Sequence, residues 1–211
     1  MPNTVVITAA VEGLTDEALL KRLCSFLGTT LGTTAGHVYG RCGKSYILAR
    51  INGYNHSARF RHWVILLDLD NDGACVPDVL PIWLPEPSRL MRLRVVVREL
   101  EAWLLADSQR ISRFLSVPAA DVPPNPDTIA DPKRVMVDLA RRSRRRAIRE
   151  DMVPHTGSGQ PVGPAYTSRM IEFIQDTDLG WRPDVAATNS DSLRRCVSAI
   201  SHLREQEFDP R

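Results

Sequence analysis

The stretch from His62 to Gly73 reads HWVILLDLDNDG, and it decides the fold class of the chain. Residues 63–67 form its longest strongly apolar run, which predicts a buried strand. Asp68, Asp70 and Asp72 follow at alternate positions, and the closing Asn-Asp-Gly is typical of a turn. Three carboxylates therefore follow the carboxyl end of one predicted strand.

Predicted strands and helices alternate on both sides of this stretch. An apolar, β-branched run over residues 4–11 predicts a first strand, and a helix that Thr15 caps and Gly28 ends should follow it. Further strands are predicted over residues 37–41 and 93–97, with helical patterns between them. This alternation predicts an α/β domain with a mostly parallel sheet flanked by helices on both faces.

The composition changes near Val117, because five prolines fall between residues 117 and 132. We therefore predict an α/β domain over residues 1–116 and an Arg-rich, mainly helical C-terminal extension over residues 117–211 that packs on it. Helices of the extension are predicted over residues 132–148, 166–175 and 190–204.

The overall composition narrows the class of protein. The chain has 211 residues, of which 43% are hydrophobic and 25% charged, as in globular proteins and unlike disordered or fibrous ones. Its longest apolar run is far below the roughly 18 residues of a membrane span, and no basic segment of a secretory signal precedes the first strand. The four cysteines lack C-x-x-C spacing, so we expect reduced thiols in a cytoplasmic protein with no membrane partner.

Arginine dominates the basic residues and is concentrated in one segment. Only three of the 27 Lys and Arg residues are lysines. Six arginines lie close together in the extension: Arg141, Arg142, Arg144, Arg145, Arg146 and Arg149. Guanidinium groups on neighbouring helical turns can bind the phosphates of a nucleic acid, although a solvated helix face or a protein-binding surface fits the pattern equally well.

Carboxylates follow two of the predicted strands. Glu12 comes directly after the first strand, and Asp16 lies four residues later. Because ligands of open α/β sheets bind beyond the carboxyl ends of strands, these acids should converge with Asp68, Asp70 and Asp72. Such oxygen ligands suit Mg²⁺ or Mn²⁺, and we predict that all five hold the metal. The alternatives are a plain turn sequence at residues 70–73 and a helix-dipole role for Asp16.

Three further residues are candidates for the site. Glu99 and Glu101 follow the fourth predicted strand; Glu99 is a candidate catalytic carboxylate and Glu101 could support it. Lys44 lies in a Gly-Lys-Ser sequence that opens a predicted helix, where a lysine can bind phosphate. This is not a Walker A motif, since Val38 occupies the place of its first glycine, and a plain capped helix is the other interpretation.

Several of these motifs resemble known proteins. Residues 11–16 (VEGLTD) and 66–70 (LLDLD) resemble the Toprim fold, whose signature is a Glu after the first strand and an Asp-x-Asp after a later one. Residues 98–107 (RELEAWLLAD), 131–133 (DPK) and 162–166 (VGPAY) resemble an uncharacterised prokaryotic family of Toprim-like proteins. That resemblance covers nearly the whole chain.

The resemblance implies both a chemistry and partners. The wider group includes the nuclease domain of the overcoming-lysogenisation-defect proteins, which are linked to metal-dependent cleavage of nucleic acid, anti-phage defence and ATPase partners. It implies that Glu12, Asp68 and Asp70 hold Mg²⁺ and that Asp16 matches the second acid of a Glu-x-x-x-acid spacing. The chain departs from that group because it carries neither an ATPase domain nor the Ser-x-Gly element.

The leading hypothesis is a nuclease that uses Mg²⁺ or Mn²⁺ to cleave DNA or RNA, as the effector of an anti-phage or DNA-maintenance system. One alternative is a non-catalytic Toprim-like subunit that binds nucleic acid or a separate ATPase. Another is a small-molecule phosphohydrolase or phosphotransferase, because the same carboxylates would serve a smaller phosphate.

Overall fold

The computed structural model describes residues 4–70 and 76–205, and it divides into two compact units. Unit 1 comprises the described residues up to Val97 together with those from Ser192 onward. Unit 2 comprises Arg98–Asp191. None of the described helices is long and apolar enough to cross a membrane.

Unit 1 is built on a sheet of four described strands, all parallel, in the order β2-β1-β3-β4. They are β1 (Val5–Val11), β2 (Thr33–Gly40), β3 (Trp63–Asp68) and β4 (Met91–Val96). Side chains alternate across a strand, and both Leu66 and Leu67 of β3 are fully buried. Both faces of β3 are therefore covered, as expected of a parallel sheet, and the predicted α/β class is confirmed.

Helices connect and flank these strands. The helices of this part of the chain are α1 (Leu14–Leu31), α2 (Lys44–Leu48), α3 (Ile51–Ser57) and α4 (Val76–Trp83). One core cluster joins Ile47 and Ile51, from α2 and α3, to Ile65 and Leu67 of β3. This packing holds the start of α2 beside the sheet.

The first helix differs from its predicted bounds at both ends. Its N-cap is Gly13 rather than Thr15, because the Asp16 carboxylate accepts a hydrogen bond from the Gly13 N–H at 2.9 Å. It continues past Gly28 and is capped by Gly32 in the left-handed conformation. A Cβ on Gly28 would lie 2.5 Å from the Thr33 carbonyl oxygen. Gly28 therefore serves close packing inside the helix and is not its end.

Unit 2 is helical, which agrees with the predicted helical extension. Its helices are α5 (Glu101–Leu105), α6 (Ser108–Leu115), α7 (Pro132–Arg141), α8 (Arg146–Met152), α9 (Tyr166–Gln175) and α10 (Pro183–Asn189). Trp103, Phe173 and Trp181 are fully buried, and the Trp181 indole N–H donates to the Trp103 carbonyl at 3.0 Å. Unit 2 therefore has a core of its own.

The unit boundaries differ from the predicted domain boundary at residue 117, which falls inside unit 2. The proline-rich segment forms two short 3-10 turns, and both Val122 and Pro126 are buried. The last helix, α11 (Asp191–Glu205), returns to unit 1, where the Ser192 hydroxyl accepts a hydrogen bond from the Val97 N–H at 3.4 Å. Prolines alone therefore do not mark the edge of the fold.

The predicted Arg-rich helix over residues 132–148 is two helices. α7 ends at Arg141, and α8 begins at Arg146. Ser143 between them is buried, and its hydroxyl accepts a hydrogen bond from the Arg145 N–H at 3.0 Å. Such a local side-chain bond competes with helical hydrogen bonding, which explains the break.

Candidate functional site

Glu12 and Asp68 meet at the carboxyl edge of the sheet. β1 and β3 are parallel neighbours, and Val11 lies opposite Leu66. The Glu12 carboxylate accepts a hydrogen bond from the Asp68 main-chain N–H at 2.7 Å. The structure therefore brings together two of the acids that the sequence placed at strand ends.

Lys44, the first residue of α2, forms an ion pair with Asp70, which follows the end of β3. The Lys44 ammonium lies 2.6 Å from the Asp70 carboxylate and 5.5 Å from the centre of the Trp83 ring. Asp70 has a φ of 49°, a left-handed conformation in which Asp is better tolerated than most residues. Strained positions of this kind cluster at functional sites, and the half-exposed Asp70 carboxylate is open to a ligand.

Main-chain contacts of the loop between β2 and α2 hold Lys44 next to the end of β1. Gly40 and Arg41 both have positive φ, and a Cβ on Gly40 would lie 2.4 Å from the Val11 carbonyl oxygen. The Gly43 N–H donates to the Glu12 carbonyl oxygen at 3.0 Å. These main-chain contacts fix the start of α2 beside Glu12.

Asp16 has a partner at the start of α1. The buried Asp16 carboxylate caps α1 through the Gly13 N–H, which favours a helix-terminus role. Asp72 lies outside the described residues, so its predicted role stays a prediction. Glu17, which the sequence did not single out, pairs with Lys21 at 2.7 Å and with Arg41 at 3.2 Å. The hydrogen bond from Lys21 is the main cause that lowers the pKa of Glu17.

The chemistry of the acids at the sheet edge fits a hard divalent cation. Glu12, Asp68 and Asp70 offer carboxylate oxygens, the ligands that Mg²⁺ and Mn²⁺ prefer. Within residues 4–70 and 76–205 no group of three or more His, Cys, Asp or Glu side chains is arranged to hold a metal ion. Mg²⁺ commonly uses one or two protein carboxylates, completing its shell with waters and substrate phosphates, so the Glu12 and Asp68 pair is a sufficient starting point.

Glu99 and Glu101 have partners inside unit 2. Glu99 accepts hydrogen bonds from both the main-chain N–H and the ammonium of Lys133, each at 2.9 Å, at the start of α7. Glu101 is buried and accepts a hydrogen bond from the Tyr166 hydroxyl at 3.0 Å. Burial above all raises the pKa of Glu101, and it likewise raises the pKa of Tyr166. These contacts explain both glutamates as parts of the unit 2 fold.

Half of the predicted arginine cluster is ion-paired within unit 2. Three of its guanidinium groups contact carboxylates: Arg141 with Asp138, Arg142 with Asp121 and Arg146 with Glu150. Two more donate to main-chain carbonyls: Arg145 to Phe114 and Arg149 to Ser143. Because three of the six charges already have carboxylate partners, the cluster offers less to a phosphate backbone than its sequence suggests.

A buried ion pair in unit 2 escaped the sequence analysis. Asp107 is fully buried, and its carboxylate accepts hydrogen bonds from the Arg182 guanidinium at 2.8 and 2.9 Å. It also accepts one from the Arg110 N–H at 3.3 Å as the N-cap of α6. The N-cap could have been found from the Asp-Ser sequence before the helix, whereas a partner 75 residues away leaves no local signal.

Comparisons of the chain with protein-family models, with curated proteins and with solved structures found no match. The placement of residues at the sheet edge therefore carries the functional argument.

Proposed function

We propose that the protein is a nuclease that hydrolyses phosphodiester bonds of DNA or RNA with Mg²⁺ or Mn²⁺, and that unit 1 is its Toprim-like catalytic part. The observation that carries this proposal is the hydrogen bond between the Glu12 carboxylate and the Asp68 main chain at the edge shared by β1 and β3. Lys44 and Asp70 add a cation and a third carboxylate at the ends of neighbouring elements.

Each residue has a role in this proposal. Glu12 and Asp68 would hold the metal, and Asp70 would join them once Lys44 has released it. The metal, when bound, supplies the Lewis acid that polarises the scissile phosphate. The Asp68 N–H orients the Glu12 carboxylate. Lys44, released from Asp70, would bind a non-bridging phosphate oxygen and neutralise charge that builds up on it. This assignment needs neither Glu99 nor the arginine cluster.

The cellular setting of the proposal depends on sequence resemblance alone. The motifs around Glu12 and Asp68 resemble those of Toprim nucleases that act with ATPases in anti-phage defence. We therefore propose a cytoplasmic effector that works with a separate ATPase. A partner-dependent enzyme of this kind would show weak cleavage by itself and stronger cleavage with the ATPase present.

A second candidate function is hydrolysis or transfer of phosphate on a small molecule. The observation that favours it is the local compensation of the arginine cluster, which lowers the attraction of unit 2 for a long polyanion. A small phosphorylated substrate would need only the sheet edge of unit 1.

The test of the proposed function is a cleavage assay with a panel of substrates. The purified chain is incubated with supercoiled plasmid, single-stranded DNA, RNA and a small phosphodiester, with Mg²⁺, with Mn²⁺ or with EDTA. Glu12→Gln and Asp70→Asn remove metal-binding charge with little change of shape. Glu86→Gln, an exposed carboxylate elsewhere in unit 1, is the matched control.

The outcomes separate the candidates. The nuclease proposal expects metal-dependent cleavage of nucleic acid that Glu12→Gln and Asp70→Asn abolish and Glu86→Gln retains. Turnover of the small phosphodiester alone would favour the second candidate. Nucleic-acid binding without turnover would indicate a non-catalytic subunit, and cleavage that survives both substitutions would exclude this site.

A further inference from the structure

An aromatic patch lies beside the loop that carries Lys44. In this patch the Tyr39 ring stacks on the Trp63 ring at 5.5 Å, with 21° between their planes. The Tyr54 ring stacks on Trp63 at 5.0 Å, and the His37 ring lies 4.2 Å from that of Tyr39. The patch thus draws its rings from β2, α3 and β3 of unit 1.

Tyr46 and Arg50 extend the patch. The Arg50 guanidinium lies 3.7 Å from the centre of the Tyr46 ring and donates to the Tyr46 carbonyl at 3.2 Å. The Tyr54 N–H donates to the Arg50 carbonyl at 3.2 Å, so Arg50 lies one helical turn before the stacked Tyr54.

The outer rings of the patch are open to solvent. Tyr39 is 39% exposed and Tyr46 is 36% exposed, so part of each side chain is accessible to a ligand. Trp63 is only 3% exposed, and the Tyr39 ring stacks on it. Stacking on a buried ring limits the motion of Tyr39, which reduces the entropy lost when a ligand binds there.

The patch adjoins the acidic edge of the sheet. Tyr39 precedes Gly40 at the end of β2, and Tyr46 lies two residues after Lys44 on α2. The loop between them is tied to Glu12 by the Gly43 N–H. This loop therefore links the aromatic patch to Glu12 at the acidic edge.

We propose that this aromatic patch is a stacking platform for the bases of single-stranded nucleic acid. Aromatic rings and arginine side chains are the groups on which single strands stack, without preference for sequence. Bases of a duplex already stack on one another and cannot reach the rings, so the platform selects single strands. This inference rests on the proposed function, because it names single-stranded nucleic acid as the substrate class of the proposed nuclease site.

The test measures binding separately from cleavage. Fluorescence anisotropy in EDTA follows labelled dT15, rU15 and a matching duplex with the full chain. Tyr39→Ala and Tyr46→Ala should each weaken binding of both single strands roughly five- to a hundredfold, since each removes stacking on one base. Tyr39→Phe and Tyr46→Phe keep the ring, and they should bind within about threefold of the parent, because stacking needs no hydroxyl.

Phe60→Ala is the matched control. The Phe60 ring is 60% exposed, and it packs against His56 at 6.1 Å rather than joining the stack. Its removal should leave binding unchanged. Tyr46 is at the surface, so Tyr46→Ala remains informative even where loss of Tyr39 from Trp63 disturbs the fold.

Several results would overturn the platform: no binding of either single strand by the parent, equal binding of the duplex, or Tyr46→Ala binding as the parent does. Failure of the nuclease proposal looks different. The expected binding pattern without cleavage in metal would leave the platform in place and remove the nuclease. Cleavage of single strands with unchanged KM in Tyr46→Ala would leave the nuclease and remove the platform.

Discussion

Asp70 follows β3 and Glu101 follows β4, yet the two carboxylates have opposite surroundings. Asp70 is half-exposed, has a left-handed backbone and pairs with a lysine. Glu101 is 5% exposed and is bonded to the buried Tyr166 hydroxyl. A ligand can reach the first of these carboxylates, whereas the second is closed off by the core of unit 2.

The partners of the other acids also differ between the two units. Glu12 and Asp68 are partly buried, and Glu12 accepts a hydrogen bond from the Asp68 N–H at the carboxyl edge of the sheet. Asp107 is fully buried and pairs with Arg182, and Glu99 is bonded to Lys133 at the start of α7. We propose that Glu12, Asp68 and Asp70 of unit 1 serve function, whereas Glu99, Glu101 and Asp107 serve the fold of unit 2.

The largest expected effect on folding comes from Arg182→Ala. It removes two hydrogen bonds from the fully buried Asp107 carboxylate, while the Arg110 and Arg182 main-chain N–H groups still donate to it. Because the Arg182 side chain is 29% exposed, we expect a loss of about 2–3 kcal/mol, as for hydrogen bonds to a charged group. Chemical denaturation measures the free energy of unfolding. Arg182→Lys, which keeps the charge but not the two-point contact, should recover part of the loss. A free energy of unfolding for Arg182→Ala within about 1 kcal/mol of the parent, the range of an exposed ion pair, would contradict a folding role.

Asp70→Asn should separate activity from stability in unit 1. We expect at least about a hundredfold loss of metal-dependent cleavage. Substitution of a residue that only hydrogen-bonds to a metal ligand already lowers metal affinity or activity about ten- to a hundredfold. The free energy of unfolding should stay within about 1 kcal/mol of the parent, since an exposed ion pair contributes little and Asn tolerates the left-handed conformation. A large loss of stability with full activity would reverse our assignment of Asp70.

Tyr166→Phe should destabilise unit 2 by about 1–3 kcal/mol. The substitution removes the hydroxyl that donates to the buried Glu101 carboxylate, so the folded state loses this hydrogen bond. Thermal and chemical denaturation measure the change. Tyr46→Phe, which removes a surface hydroxyl, serves as the control and should be close to neutral. Equal effects of the two substitutions would argue against a buried Glu101 and Tyr166 pair.

The smallest effect is a pH dependence that Glu101→Gln should remove. Burial raises the pKa of Glu101 in the folded chain above its unfolded value, so the folded state holds the proton more tightly. Stability therefore falls as pH rises from the unfolded pKa, about 4.3, through the higher folded pKa. The stability of Glu101→Gln relative to the parent should accordingly increase between acidic and neutral pH. A difference that is constant with pH would show that Glu101 titrates normally.

Local pattern predicted much of this fold. The apolar run at residues 63–67 gave β3, the helix over Tyr166–Gln175 has its predicted bounds, and Glu12 and Asp68 meet as parallel neighbouring strands require. Those features depend on residues that are close in sequence or on the general rules of sheets.

The remaining features depend on distant contacts. Gly28 lies inside α1, where the absence of a Cβ makes room for the Thr33 carbonyl oxygen. The hydrophobic pattern of the helix does not reveal this contact. Arg182 finds Asp107, and Lys133 finds Glu99, only once the helices of unit 2 have packed. The stacking of Tyr39 on Trp63 likewise joins two strands that are separated along the chain. Residue type and spacing alone do not encode such pairs.

Titration of Mn²⁺ into the parent, Glu12→Gln and Glu99→Gln by calorimetry tests the contrast between the two units most directly. Our account predicts that the parent and Glu99→Gln bind Mn²⁺ with equal affinity. Glu12→Gln should bind it at least about tenfold more weakly, because a carboxylate ligand has been neutralised. The account would be contradicted if Glu99→Gln lost the metal while Glu12→Gln retained it.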